Sequence, residues 1–520
     1  MTKCIDPVTG AKEAPTPQPL ALPPPGEVPD AQVTQPEPAK KSRAARALTF
    51  VQREFRLVYS ADETAYAVDD STPNPQAWRV ISPGFASAIR RLAYRKDPSL
   101  ILTHEDVKEV TGQLQALAEL TGQPSPVWLR VAETPRGIEI DIGDESHARI
   151  AVEPGHVEVL THGSTTLFQR SPNFLPFVVP AKHGDINKLL PYLNLTVRDC
   201  WLLIAWITYT LAHPKTASTN YVILVLRGDR GRGKSVMCNI ILALLLGPSV
   251  IGLQAFPAST IDLAIAIQNS HVAFYDNLRK LSEFQADSLC RSATSASIST
   301  RMLHTNGGEY THKLHGAVVL NGIHSFIDQD DLAQRCISFI LQRLGALDRT
   351  TEKQLRDNYN RDLPVIFKGV LDLIAAIFAH LPTAKAKHPE RMLEFVLWLA
   401  AMEKALGLPE GQLQLAYSDN LVGAMQDSLQ DNPLAEVVTQ FARSHTQQPW
   451  SGTPTDLLTQ LNAVAGPEFI ATGNWPGSAI SLSMRLKTLQ SKLSGAGVDV
   501  VIGKRLRSRR ITVQYTGTSS

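Results

Sequence analysis

The stretch Gly228-Asp-Arg-Gly-Arg-Gly-Lys-Ser235 constrains this chain more than any other. It has the spacing G-x-x-x-x-G-K-S, follows the apolar run Tyr221–Leu226 and opens the apolar segment Val236–Leu246. That order predicts a buried strand, a glycine-rich turn and a helix, which separates it from a decorative turn. Successive backbone N–H groups of such a turn wrap a polyphosphate, and the helix N-terminus adds positive partial charge. The candidate phosphate contacts are Gly228, Asp229, Arg230, Gly231, Arg232, Gly233, Lys234, Ser235 and Val236. Lys234 would reach the β- and γ-phosphates of ATP, and Ser235 would hold Mg2+.

A phosphate loop needs a second half. The next strand-like run, His271–Tyr275, ends in Asp276-Asn277, and the interval leaves room for a helix, a strand and another helix. Asp276 would orient the Mg2+ shell together with Ser235. Asn277 stands where many P-loop motors carry a glutamate as general base, and an amide cannot take that proton. Either Asp276 with a positioned water suffices, or Glu283 contributes, or hydrolysis is slow. A third run, Gly316–Leu320, ends in Asn321, which would hydrogen-bond the attacking water or the γ-phosphate, or simply end a strand. Arg335 closes Asp331-Leu-Ala-Gln-Arg335. It reads as an arginine finger acting on a neighbouring subunit, or as a cation at a helix C-terminus. Between Asp276 and Asn321, Asn306-Gly307-Gly308 signals a hairpin flanked by Arg301, His312 and Lys313. Such a basic hairpin would grip DNA phosphates in a channel, or lie solvated on the surface.

Charge does not name a partner: Lys+Arg (51) and Asp+Glu (49) nearly balance, so any nucleic-acid signal is local. The five cysteines are scattered without a C-x-x-C pair, which fits reduced thiols. The N-terminus lacks the apolar stretch of a signal peptide, and no apolar run reaches bilayer-spanning length. A soluble cytoplasmic protein with no membrane partner is the expectation.

The segments around the loop divide by composition. Residues 1–47 are Pro-rich and read as a disordered tail. Residues 48–185 read as an α+β domain, with strands at Phe50–Tyr59 and Ala65–Val68 and helices at Phe85–Tyr94 and His104–Leu120. Short strands follow from Val127 to Leu160. Asp141 and Asp144 there resemble a metal-binding pair but read better as turn acids, since no further acidic or histidine cluster joins them. Residues 186–345 form an α/β ATPase core led in by one long helical segment, Ile186–His213, and 346–446 form a helical lid or bundle.

Residues 447–520 predict helix, helix and a basic hairpin, the outline of a winged helix. Arg485, Lys487, Lys504, Arg505, Arg507, Arg509 and Arg510 are its candidate DNA contacts, the wing on phosphates and the second helix in a duplex groove. A solvated basic hairpin on an oligomerisation domain is the alternative.

The order Gly228, Gly233, Lys234, Ser235, Asp276, Arg301, Lys313, Asn321, Arg335 resembles the superfamily 3 helicase branch of the AAA+ ATPases. It is most similar to poxvirus-type helicases and to phage- or integrative-element-encoded replication helicases. The resemblance covers Ile186–Leu341. It implies an AAA+-like core, a homo-oligomeric ring, commonly a hexamer, with ATP between subunits and single-stranded DNA in the pore. Asn277 in place of the second acid, and Ser-Ala-Thr-Ser-Ala-Ser297 in place of a Gly-richer turn, are departures from its pattern. The expected function is an ATP-dependent DNA helicase or origin-unwinding initiator of a phage or mobile element. The alternative is a nucleotide-switched DNA-binding ATPase with slow turnover, acting in element regulation or anti-phage defence.

Overall fold

In a computed structural model the described residues are 42–170, 174–229, 231–247, 253–294, 296–301, 309–323, 326–327, 329–342, 351–430, 432–470, 475–503 and 510–517. The Pro-rich tail through Lys41 lies outside them. Its expected last residues do not: Arg43–Glu54 is a helix, and the strand expected from Phe50 begins only at Arg56. Ser42 caps this helix by accepting from the Ala45 N–H. Ala44, Ala47 and Val51 recur at helical spacing and face the core, so helix periodicity overrides the local apolar run that suggested a strand.

The N-terminal region builds two sheets. A six-stranded sheet contains Arg56–Tyr59, Ala65–Asp69, Gln76–Arg79 and three short strands, Gln123–Pro124, Val127–Trp128 and Leu167–Gln169. The helices Arg43–Glu54, Pro83–Lys96 and His104–Thr121 cover one face with a separate apolar core. Thr103 and Asp106 do form a reciprocal capping box. The second sheet is a four-stranded antiparallel meander from Val131 to Leu160. Its inward residues Ile138, Ile140, Ile150 and Val152 join the core that contains the glycine-rich loop's helix. Arg130, beside this sheet, is buried and donates to the Leu246 carbonyl at that helix's end.

Ile186–His213 is not one helix. A 3-10 segment, Ile186–Tyr192, contains Pro191, and an α-helix starts afresh at Val197 under a Thr196 cap. Proline lacks the N–H that would continue the ladder. Cys200 and nearly every residue from Leu202 to Ala212 are buried, as an all-round apolar helix requires.

The central sheet has four parallel strands, in the order Val272–Leu278, Ala317–Gly322, Ile223–Arg227, Cys336–Ile340. Both faces are covered: Leu224 and Leu226 enter one apolar cluster, Ile223 and Val225 the other. This is why the strand reads as an uninterrupted apolar run. The strand ending in Asn321 therefore lies between the loop strand and the Asp276 strand.

The helices Glu352–His380, Leu393–Leu406 and Gln412–Gln430 share the main core; Trp398 donates to Thr208 at 3.1 Å inside it. The stretch Glu352–Thr383 is long and apolar enough to cross a membrane by length and composition alone. Its Leu363, Ile366, Phe367, Val370, Ile374 and Ile377 are buried in this core.

The C-terminal unit has its own core, which takes in Leu434–Ala442, before the expected start at 447. Pro433–Arg443, Pro454–Ile470 and Ala479–Gly495 pack over the three-stranded antiparallel sheet Trp450–Gly452, Ile511–Tyr515, Val498–Ile502.

Candidate functional site

The glycine-rich loop leaves the C-terminal end of Ile223–Arg227 and enters the helix Lys234–Leu246. Gly231 and Gly233 have φ of 79° and 74°, a left-handed conformation open chiefly to glycine. Two regions clamp the loop's root. Asn194 donates to the carbonyls of Arg232 (3.2 Å) and Gln342 (2.7 Å), and the Leu341 N–H donates to the Arg227 carbonyl (2.8 Å). Arg227 itself is buried and paired with Asp427 at 2.7 Å. Arg232 donates to the Leu341 carbonyl and pairs with Asp229. Arg230 lies outside the described residues.

Lys234 Nζ donates to the carbonyls of Gly228 (2.7 Å) and Asp229 (3.0 Å). Burial pulls its ammonium below the ordinary lysine value, and Asp276 and Asp229 oppose that. Cys238, one turn beyond, is a buried thiol pushed up to about 12, chiefly by burial, and is not a nucleophile.

Three parallel-strand ends meet beside this loop. Asp276 Oδ2 stands 3.4 Å from Ser235 Oγ, and Asp276 Oδ1 accepts from Asn321 Nδ2 at 2.7 Å. Asn321 is fully buried, and its Oδ1 has no hydrogen-bond partner. A buried amide oxygen rarely stays unpaired, so its neighbourhood suits a polar ligand or water. Ser235 and Asp276 are a hydroxyl and a carboxylate, the donor set that suits Mg2+ held largely by phosphates and water. Among the described residues no group of three or more His, Cys, Asp or Glu side chains offers a richer metal site.

Asn277 has φ of 60°, and the strand register shifts between Tyr275 and Leu278. Its N–H donates to Asp276 Oδ1 at 2.6 Å. Asparagine is one of the few non-glycine residues that visits this conformation readily. The position thus has a backbone reason to be Asn, and a glutamate there would be strained.

The remaining sequence candidates are spread out. Arg335 abuts the N-terminal end of the sheet, where its carbonyl accepts from Ile223 N–H, so a strand's length separates it from its own chain's loop. It is 9% exposed and pairs with Asp331 at 2.7 Å. Arg391, which sequence reading missed, shares Asp331 at 2.6 Å and is far more open. Glu283 is exposed in the first turn of Glu283–Ala293. Arg301 and His312 lie on the paired strands Ala296–Arg301 and Glu309–Leu314; their side chains, and the hairpin tip at Asn306-Gly307-Gly308, lie outside the described residues. Lys313 is exposed and faces Asp62 at 3.8 Å.

In the C-terminal unit Lys487 and Arg510 are exposed and Arg485 is half-buried. Lys504, Arg505, Arg507 and Arg509 lie outside the described residues. Lys492 points inward: its side chain is 2% exposed and stands 4.0 Å from Asp330 of the core. Asp141 and Asp144 do not make a metal pair. The fully buried Asp141 carboxylate is taken up by Arg149 and by Arg170 at 3.0 Å, and Asp144 accepts from Ser146 at 2.7 Å. The described cysteines Cys200, Cys238, Cys290 and Cys336 are buried and free.

Residues 186–424 match the family model described as "Actinomycete integrative conjugative element replication protein", and 434–520 match "AICE RepA C-terminal domain". No curated protein gives a match. Among solved structures, "SCCmec type IV Cch - active helicase" aligns over 89% of this chain and 93% of its own, at 10% identity and a TM-score of 0.43. The "NrS-1 C terminal region" aligns over 90% and 98%, at 10% identity and a TM-score of 0.37. From the sheet that carries the loop to the last strand, this chain is similar to the replication proteins of actinomycete integrative conjugative elements.

Proposed function

We propose that the chain is an ATP-driven DNA motor, a helicase or origin-unwinding initiator, for replication of a mobile element. One observation carries this reading: Asp276 and Asn321, from two adjacent parallel strands, converge on Ser235 where the Gly-Lys-Ser loop enters its helix. A decorative turn would have no use for that convergence.

In this reading the loop N–H groups cradle the phosphates of ATP and Lys234 leaves its carbonyls for the β- and γ-oxygens. Ser235 and Asp276 hold Mg2+, which supplies charge neutralisation at the transferring phosphoryl group. Asn321, fixed by Asp276, uses its amide to orient water or a γ-oxygen. A neighbouring copy in a ring supplies the arginine. Arg335 would have to leave Asp331 to serve, whereas Arg391 is already exposed on the same acid. The strands Ala296–Arg301 and Glu309–Leu314 carry a hairpin onto single-stranded DNA in the pore. The C-terminal unit supports a winged-helix reading, since its helices and strands alternate in the required order. The exposed face of Ala479–Gly495 would enter duplex DNA with Ile480, Met484 and Lys487.

Steady-state ATP turnover, with and without single-stranded DNA and beside Lys234→Ala, tests this. DNA stimulation that vanishes in the variant is expected. Turnover equal to the variant's, despite ATP binding, would instead favour a nucleotide switch with slow hydrolysis, the reading motivated by Asn277.

A further inference from the structure

A large cavity lies away from the glycine-rich loop. It is an open cleft of about 800 Å³ between the six-stranded N-terminal sheet and the opposite end of the central sheet. One wall carries Asp62, Tyr66, Arg79 and Trp128. The other carries Lys215, His271, Lys313 and His315, all at or before the N-terminal ends of core strands or on the hairpin strand Glu309–Leu314. At about 3.3 Å per residue, a core strand puts this cleft roughly 20 Å from the phosphate loop.

The two walls suit different parts of one ligand. Trp128, half-buried, offers ring surface to a base, which only an unpaired strand can present, while Tyr66 behind it is buried. Arg79 and Lys313 are exposed cations that would meet phosphates. Lys215 is held back: it donates to the carbonyls of Ile267 and Ser270, and burial pushes its ammonium down to about 7. His271 and His315 likewise use their Nε2 atoms on the backbone carbonyls of Thr210 and Thr219. They shape the floor of the cleft.

Asp62 is the informative exception. An acid on a DNA-facing wall is unfavourable unless it is neutralised, and Asp62 is neutralised by Lys313 across the cleft. Both partners are about half exposed, so the pair is weak and readily exchanged. A phosphate replacing Asp62 on Lys313 would free the hairpin strand from the N-terminal domain.

We propose that this interdomain cleft binds a segment of single-stranded DNA, with Trp128 as the base platform, Arg79 and Lys313 as phosphate contacts, and Asp62 as the group the DNA displaces. The inference rests on the reading of the hairpin as a DNA contact. The N-terminal domain then holds the strand next to the hairpin while the nucleotide acts at the far end of the sheet.

The test is anisotropy of a fluorescent oligothymidylate with the full chain, backed by photocrosslinking with iododeoxyuridine. Trp128→Ala and Arg79→Glu should each weaken single-strand binding at least fivefold, a typical effect of losing a stacked base. Both should leave duplex binding and DNA-independent ATP turnover unchanged. Asp62→Asn should tighten binding, a gain that misfolding cannot produce. Crosslinks should map to residues 61–66 and 127–128. If the wild type is stimulated by single strands but Trp128→Ala, Arg79→Glu and Asp62→Asn all bind like it, the cleft is not the site and the motor reading stands. If the wild type neither binds single strands nor responds to them, the motor reading falls and the cleft with it.

Discussion

Asp141 and Asp276 both stand at or near the end of a strand, and their surroundings give them opposite roles. Asp141 is fully buried, paired with Arg149 and Arg170, with Arg130 close by. Burial pushes its carboxyl up, and Arg149, Arg170 and Arg130 more than reverse this, leaving it below the ordinary carboxylate range. Both carboxylate oxygens are held by guanidinium groups, so the acid fixes the N-terminal sheet. Asp276 is half-buried, and among the described residues its hydrogen bonds come from neutral donors, the Asn321 amide, the Ser235 hydroxyl and a backbone N–H. It has capacity left for a cation. A carboxylate surrounded by guanidinium groups is a structural part, whereas one met by hydroxyl and amide at a strand tip keeps room for a ligand.

The comparison can be broken by mutation. Asp141→Ala leaves buried arginines without their acid and should destabilise the fold by about 3–5 kcal/mol, read by denaturant unfolding. Any folded fraction should keep its ATP turnover per molecule. Asp276→Ala should do the reverse: turnover should fall about 10²–10³-fold, as when a transition-state donor is lost, with the melting temperature nearly unchanged. If Asp141→Ala abolished turnover in well-folded protein, the division of roles would be wrong.

Acid titration sharpens the same contrast. Asp141 has its folded value depressed, so its contribution is fully present above the unfolded carboxylate value of about 3.9 and is lost as pH falls through the folded one. Stability of the wild type should therefore fall steeply below about pH 4. Asp141→Asn should flatten that acid limb.

The smallest expected effect concerns Asn277. Glutamate at φ of 60° should lower stability by about 1–2 kcal/mol, whereas Asn277→Gly should melt no lower than wild type. Turnover that rises in Asn277→Glu would show that the site lacks only a base.

Much of the candidate site was legible because its chemistry is local. The loop spacing named Lys234 and Ser235, and apolar runs ending in polar residues pointed to Asp276 and Asn321. Asn194, Arg391 and Asp427 were not legible, since each acts across a large sequence separation and carries no motif. Read along the chain, helix Arg43–Glu54 divides between the Pro-rich tail and a strand from Phe50, because Phe50 and Val51 are apolar neighbours; the deciding signal is the spacing of Ala44, Ala47 and Val51. The segment Ile186–His213 reads as one helical stretch, but Pro191 breaks its N–H ladder and Thr196 caps a fresh start.

By itself the sequence determined the glycine-rich loop, the buried parallel strands around it, and a basic C-terminal unit, because backbone conformation and apolar periodicity are properties of neighbours along the chain. Only the tertiary structure decided that Asn321 bonds to Asp276, that Arg335 abuts the far end of the sheet, and that Asp62 meets Lys313 across a cleft. Those are outcomes of strand order and domain packing, which join residues that no local pattern connects.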